Sequence, residues 1–158
     1  MYCDGACTGN PGPGGWAAII IDGTEERVVS GHEPATTNQR MELTAAIEGL
    51  AAVGKRRCVH LFSDSAYVVN CFRDRWWESW ARNGWKNAGK QPVANRDLWE
   101  RLIAQTQHHD VTWHKVRGHS GDALNERVDR LARAAIVTGH GGPSPLGEDP
   151  ARSGSPPN

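Results

Sequence analysis

No apolar run in the 158 residues approaches the roughly 18 needed to cross a bilayer, so no membrane span is read. The N-terminus has neither a basic segment nor an apolar stretch ahead of its first polar motif. No secretory signal is read there, and a cytoplasmic protein is expected. Cysteine is scarce. Cys3, Cys7, Cys58 and Cys71 fit no common zinc spacing, and they are read as free thiols. Net charge is lacking too, with 18 basic against 18 acidic residues. Taken over the whole chain, that balance argues against a nucleic-acid partner, but its distribution argues the other way. Residues 73–96 carry Arg73, Arg75, Arg82, Lys86, Lys90 and Arg96 against Asp74 and Glu78, a local charge of +4. Trp76, Trp77, Trp80 and Trp85 are interleaved with them. There is no internal repeat.

What is present suffices for one domain with a sizeable core. Residues 1–138 are read as that domain. Residues 139–158, with five glycines and five prolines, are read as a disordered tail or a linker. Met1–Cys3, Trp16–Asp22 and Arg27–His32 read as strands of a meander, because short β-branched runs bounded by glycine suit strands. Between the first two lies Asp4–Gly15, DGACTGNPGPGG, read as one polar loop with an aspartate at its entrance. Thr36, Thr37 and Asn38 offer caps for a helix carrying Leu43, Ile47 and Leu50 at helical spacing and ended by Gly54. Cys58–Ser63 is a fourth strand, followed by a short helix near Ser65–Phe72. Asn95–Thr106 reads as an amphipathic helix and Val111–Val116 as a fifth strand. Leu124, Val128, Leu131, Ala132 and Ala135 mark a last amphipathic helix. The order predicts an α/β fold, a five-stranded mixed sheet with an antiparallel meander, then parallel strands, flanked by helices.

Acids recur near the chain reversals and on a small-residue helix face. Asp4 and Asp64 follow strands, and Glu42 shares a face with Ala45, Ala46 and Gly49. Asp129 sits beside the apolar stripe of the last helix. Each has an ordinary reading: Asp64 caps a helix, Glu42 is solvated, and Asp129 pairs with Arg133. If the four converge, they repel one another unless a cation neutralises them. Oxygen-only ligands suit Mg²⁺ or Mn²⁺. Two such ions can clamp a phosphodiester, which describes a nuclease.

The blocks DGACTGNPGPGG, TTNQRMEL, FSDSAYV, GHSG and NERVDRLA, in this order, resemble type 1 ribonuclease H of the bacterial kind over roughly Met1 to Ile136. The resemblance implies a ribonuclease H-like fold and an endonuclease that hydrolyses the RNA strand of RNA–DNA hybrids, leaving 5′-phosphate and 3′-hydroxyl ends. It implies two Mg²⁺ ions, for which Mn²⁺ can substitute, held by Asp4, Glu42, Asp64 and Asp129. It makes His119, between Gly118 and Gly121, a mobile-loop histidine that helps proton transfer or product release. It places Cys7, Asn10, Thr37, Asn38, Gln39 and Asn125 at substrate contacts, where amides and bare backbone read 2′-hydroxyls. The tryptophan-rich basic segment resembles the family's protrusion that packs on the DNA strand. Trp80 and Trp85 are then expected to touch sugars and Lys86 phosphates, while Trp76 and Trp99 are expected in the core. A monomer whose partner is the hybrid duplex is expected.

Three positions depart from the family pattern. The first strand is short, Gln39 stands where a second Asn is common, and Ala66 stands where a Gln is common. Two other readings exist, a non-catalytic nucleic-acid-binding domain on the same fold and a transposase- or resolvase-like enzyme. A neutral residue in the acidic set would favour the first, and no member of the set is neutral. The second lacks the protrusion and the Asn/Gly loop that are present here.

Overall fold

The computed structural model describes residues 1–117 and 122–138. Strands β1 (Tyr2–Cys7), β2 (Gly12–Asp22) and β3 (Glu25–Thr36) form the antiparallel meander. Strands β4 (Cys58–Ser63) and β5 (Asp110–Lys115) extend it in parallel, in the order β3-β2-β1-β4-β5. Helices α1 (Asn38–Val53), α2 (Ala66–Arg73), α3 (Trp76–Asn83) and α4 (Arg96–His108) build one layer, and α5 (Ala123–Thr138) packs across β1, β2 and β3. Alternation along the strands divides the core. Cys3, Ala18 and Ile20 face the layer containing Leu43, Ile47 and Leu50, while Ala6, Ala17 and Ile19 face Val128 and Ala132 of α5. The five-stranded mixed sheet with flanking helices is therefore the fold the residue pattern predicts.

The stretch DGACTGNPGPGG is not one loop. β1 continues through Cys7 and β2 begins at Gly12, so only residues 8–11 turn. Asp4 lies in mid-strand opposite Ala17, not at a strand end. The glycines serve close packing more than turning, which is why their clustering misleads. A Cβ on Gly15 would stand 2.3 Å from the Ala132 carbonyl oxygen and 2.9 Å from the Ile136 nitrogen. Helix α5 lies on β2 because that side chain is missing. The first strand has six residues, more than the three read from the sequence.

β3 runs on through Pro34 to Thr36, longer than expected; as an edge strand it tolerates a residue with no amide donor. Thr37 caps α1, its hydroxyl accepting from the Arg40 amide at 3.2 Å. Ser65 caps α2 through the Val68 amide at 3.3 Å. The basic segment contains α3, which the sequence reading left without structure. Trp99 is fully buried and donates Nε1–H to the Tyr67 hydroxyl at 3.0 Å. Trp76 corrects an expectation: it is 36% exposed rather than in the core. At the first position of α3, its ring lies at the outer end of the tryptophan group, 6.5 Å from that of Trp80 and outside the core cluster. All four cysteines are unpaired thiols. Among the described residues no helix is long and apolar enough to cross a membrane. Residues 139–158, including the expected tail, lie outside the described residues.

Gly15→Ala is expected to destabilise the protein by about 1–3 kcal/mol, because a methyl group meets backbone that cannot yield. The midpoint of urea unfolding measures this; an unshifted midpoint contradicts the close approach of α5.

Candidate active site

Asp4 on β1, Glu42 near the start of α1 and Asp64 one residue past β4 come together. Their carboxylate oxygens all lie within 4.8 Å of one another. β1 and β4 are adjacent and parallel, so Asp4 and Asp64 project from neighbouring strands. Glu42 reaches them because Gly5 carries no side chain. A Cβ there would stand 2.4 Å from both the Glu42 nitrogen and the Met41 carbonyl carbon. The Gly5 amide donates to Asp4 Oδ1 at 2.9 Å and to Glu42 Oε1 at 2.6 Å, joining the two acids through one donor. Gly5 is the positioning residue that sequence reasoning missed. Its signal was the glycine directly after the first acid.

Asp4 and Glu42 are buried, and none of the three acids is in an ion pair among the described residues. Burial first, then the charges of Asp64 and Asp129, push the Asp4 carboxyl up to about 7, against a hydrogen bond with Glu42 that pulls it down. Burial, then Asp4, pushes Glu42 well above the ordinary carboxylate range. Without a counter-charge the pair retains protons. With an oxygen-only donor set and no opposing cationic side chain, the cluster fits a hard divalent ion such as Mg²⁺ or Mn²⁺.

Asp129 stands apart from this trio. It pairs with Arg133 at 3.1 Å, the ordinary reading of its sequence position, yet remains close enough to raise Asp4. Together with Asp64, Asn125, Glu126 and Arg130 it lines a cleft of about 340 Å³. The sequence reading named neither Glu126 nor Arg130; their signal is i, i+4 spacing beside Asn125 and Asp129. Asn125 is 2% exposed, and among the described residues its side-chain oxygen has no hydrogen-bond partner. An orphaned buried acceptor of this kind suits a donor from outside the chain.

The β1–β2 turn lies against the start of α1. Asn10 Oδ1 accepts from the Asn38 amide at 2.9 Å, and the Cys7 thiol contacts the carbonyls of Gly12 and Thr36 at 3.5 Å each. Cys7, Asn10, Thr37 and Asn38 therefore share one rim, with Gln39 exposed beside them. The Asn10–Pro11 peptide is cis. The basic segment is less uniform than expected. Trp80, expected at sugars, is a core ring, 9% exposed, with Trp85 and Trp99 centroids 5.5 and 5.3 Å away. Trp85 is half-buried, with the Arg96 guanidinium 4.9 Å from its ring centre. Arg82, Lys86 and Lys90 are exposed. His119 lies outside the described residues.

The raised carboxyls link site charge to stability. An unfolded Asp carboxyl titrates near 3.8 and Asp4 near 7, so across that window the folded form keeps a proton the unfolded form has lost. The contribution of Asp4 to stability is therefore most favourable below about 3.8 and is lost as pH rises toward 7. In EDTA, Asp4→Asn is expected to gain on the native protein between those values, by on the order of 2–4 kcal/mol. Urea unfolding at a series of pH values measures it; a difference that stays constant with pH removes the argument.

A family model for RNase H matches residues 1–137. The ribonuclease H of Moorella thermoacetica is 56% identical over 137 residues, covering 87% of this chain and 90% of that one. The ribonuclease H of Symbiobacterium thermophilum is 54% identical over 139 residues, covering 88% and 95%. Among solved structures, LC9-RNase H1, a type 1 RNase H with the type 2 active-site motif, superposes with a TM-score of 0.76. It is 36% identical, with 87% of this chain and 71% of that chain covered. LC11-RNase H1, solved in complex with an RNA/DNA hybrid, gives a TM-score of 0.65 at 21% identity, covering 87% and 95%, and so speaks for the fold alone. Its sheet order, its clustered acids and its relatives agree: the chain belongs to the ribonuclease H family and is an endoribonuclease, a hydrolase of phosphodiester bonds.

Proposed function

We propose that the protein hydrolyses the RNA strand of RNA–DNA hybrids by a two-metal-ion mechanism, leaving 5′-phosphate and 3′-hydroxyl ends. The observation that carries this reading is the trio of buried Asp4, buried Glu42 and half-buried Asp64, held within 4.8 Å and in no ion pair among the described residues. Two Mg²⁺ ions, replaceable by Mn²⁺, are the proposed occupants, held by these three and by Asp129. When bound, they supply charge neutralisation at the phosphodiester and ease deprotonation of water there. The chain's own part is positioning. Gly5 aligns Asp4 with Glu42 through one amide, and Ser65, capping α2, holds the turn from which Asp64 projects.

Recognition of the hybrid follows the rim. Asn125 offers its side-chain oxygen, unpartnered among the described residues, to a 2′-hydroxyl, the group that separates RNA from DNA. Cys7, Asn10, Thr37, Asn38 and Gln39 border the same groove. Trp85 with Lys86 is the proposed face for the DNA strand, in place of the buried Trp80. His119 is proposed to assist proton transfer or product release. Cytoplasmic residence, action as a monomer, and a domain ending near residue 138 with the remainder as tail or linker complete the proposal.

Cleavage of labelled hybrid, double-stranded RNA and double-stranded DNA tests it. RNA-strand cleavage of the hybrid alone is expected with Mg²⁺, abolished by EDTA and by Asp64→Asn. Binding of the hybrid without cleavage overturns the reading in favour of a non-catalytic domain. Ala66, exposed at the first position of α2, lacks the amide common there in the family. Ala66→Gln is expected to lower the KM for hybrid roughly two- to tenfold, the value of one added hydrogen bond. An unchanged KM contradicts a role for that position.

A further inference from the structure

One cluster of ligand-type side chains lies outside the carboxylate centre. On β4 and β5, His60 Nδ1 and His114 Nε2 are 2.9 Å apart, their ring centres 5.1 Å apart and their planes inclined by 32°. Residues alternate along these strands, and His60, Phe62 and His114 share the sheet face opposite Val59, Leu61 and the core. Helix α5 covers β1, β2 and β3 on that side and leaves His60 exposed. His114 is held in place. Its ring stacks on Phe62 at 4.5 Å and 14°, and Phe62 stacks on Tyr2 at 4.7 Å and 10°.

We propose that His60 and His114 form a two-imidazole site for a late first-row divalent ion, Ni²⁺ or Cu²⁺, that links the edge strand β5 to β4. Imidazole nitrogen is the donor that these ions favour over carboxylate oxygen, so the site differs in chemistry from the oxygen cluster of Asp4, Glu42 and Asp64. Spacing selects the geometry. Two nitrogens at about 2.0–2.1 Å from one ion stand about 2.8–3.0 Å apart in a square-planar or octahedral arrangement and about 3.3–3.4 Å apart in a tetrahedral one. The observed 2.9 Å, held in the metal-free pair by an N–H···N contact, lies near the former value. In the metal-free pair one ring donates an N–H to the other. On binding, that hydrogen moves to the ring's outward nitrogen, so both inward lone pairs reach the ion and no net proton is released. Among the described residues no third His, Cys, Asp or Glu joins the pair at ligand spacing, and water completes the shell.

The consequence is mechanical. Among the described residues β5 is the sheet edge, paired with β4 alone, and β4 leads directly to Asp64. His60 precedes Asp64 by four residues, roughly 13 Å along an extended strand. An ion here stabilises the strand pair behind the active site without occupying it.

Ni²⁺ titration by calorimetry in excess Mg²⁺, with the native protein, His60→Gln and His114→Gln, tests the proposal. The native protein is expected to take up one more Ni²⁺ than either variant. Alternatively, its affinity for that equivalent is expected to fall about tenfold or more in each, as even loss of an outer-shell partner costs roughly 10–100-fold. Ni²⁺ is also expected to raise the melting temperature of the native protein alone. A measurement free of variants is paramagnetic broadening of the histidine ring signals by substoichiometric Ni²⁺, expected first at His60 and His114. Equal stoichiometry and affinity in all three proteins, or broadening confined to other histidines, overturns the proposal.

Discussion

The structure depends on how closely α1 can approach β1, and Gly5 sets that distance. A methyl group there would lie 2.4 Å from the helix backbone, so any other residue separates the helix from the strand. Closeness has two effects. It lets α1 bury Leu43, Ile47 and Leu50 against Cys3 and Ala18, making the larger part of the core. It also carries the Glu42 carboxylate past the strand to Asp4, where one amide serves both acids. Fold and site thus rest on the same missing side chain. Gly15 plays the corresponding part for α5, which brings Asp129 and Asn125 to the other side of the cleft.

The electrostatic consequence opposes the packing. Folding places Asp4 and Glu42 where water is excluded and where the next charge is another carboxylate. Such an arrangement lowers the stability of the ion-free protein above the ordinary carboxylate range. It persists because the surrounding core over-determines it, and because a divalent ion relieves it on binding. The surface pairs, such as Arg57 with Asp22 and Arg40 with Asp97, are exposed and contribute little by comparison. The acids at the site are therefore an electrostatic liability that ion binding converts into affinity.

The basic segment shows the two uses of one residue type. Trp80 and Trp99 are interior rings, meeting edge to face, and they anchor α3 and α4 to the sheet. Beyond Gly84, where the backbone turns left-handed, Trp85 still packs on Trp80 while Lys86 and Lys90 point outward. The same chain segment thus supplies both a footing and an outward basic face. Asn83 and Asn87 hold the outer loop with side-chain hydrogen bonds to its backbone, which makes it a defined surface.

Periodicity and capping residues determined most of the element order. The β-branched run at Ile19–Ile21, the Thr37 and Ser65 caps and the stripe Leu124–Ala135 each specify a local conformation through neighbours in sequence. The acids Asp4, Glu42 and Asp64 were legible as candidates for a related reason: each sits beside a local signal, a glycine-rich stretch, a small-residue face or a cap. Their convergence was not legible from spacing, because it depends on which strands become neighbours and on how near a helix lies to one of them. The extent of β1 was hidden too, since Gly5, Gly14 and Gly15 look like turn residues until the partners that occupy their missing side chains are known. The positions of Trp76 and Trp80 were reversed for the same cause: both lie on one side of α3, and only the packing of Trp85 and Trp99 around Trp80 decides which ring is covered. Local chemistry is written in neighbours along the chain. Burial, shared protons and the pairing of His60 with His114 arise only between residues that folding brings together.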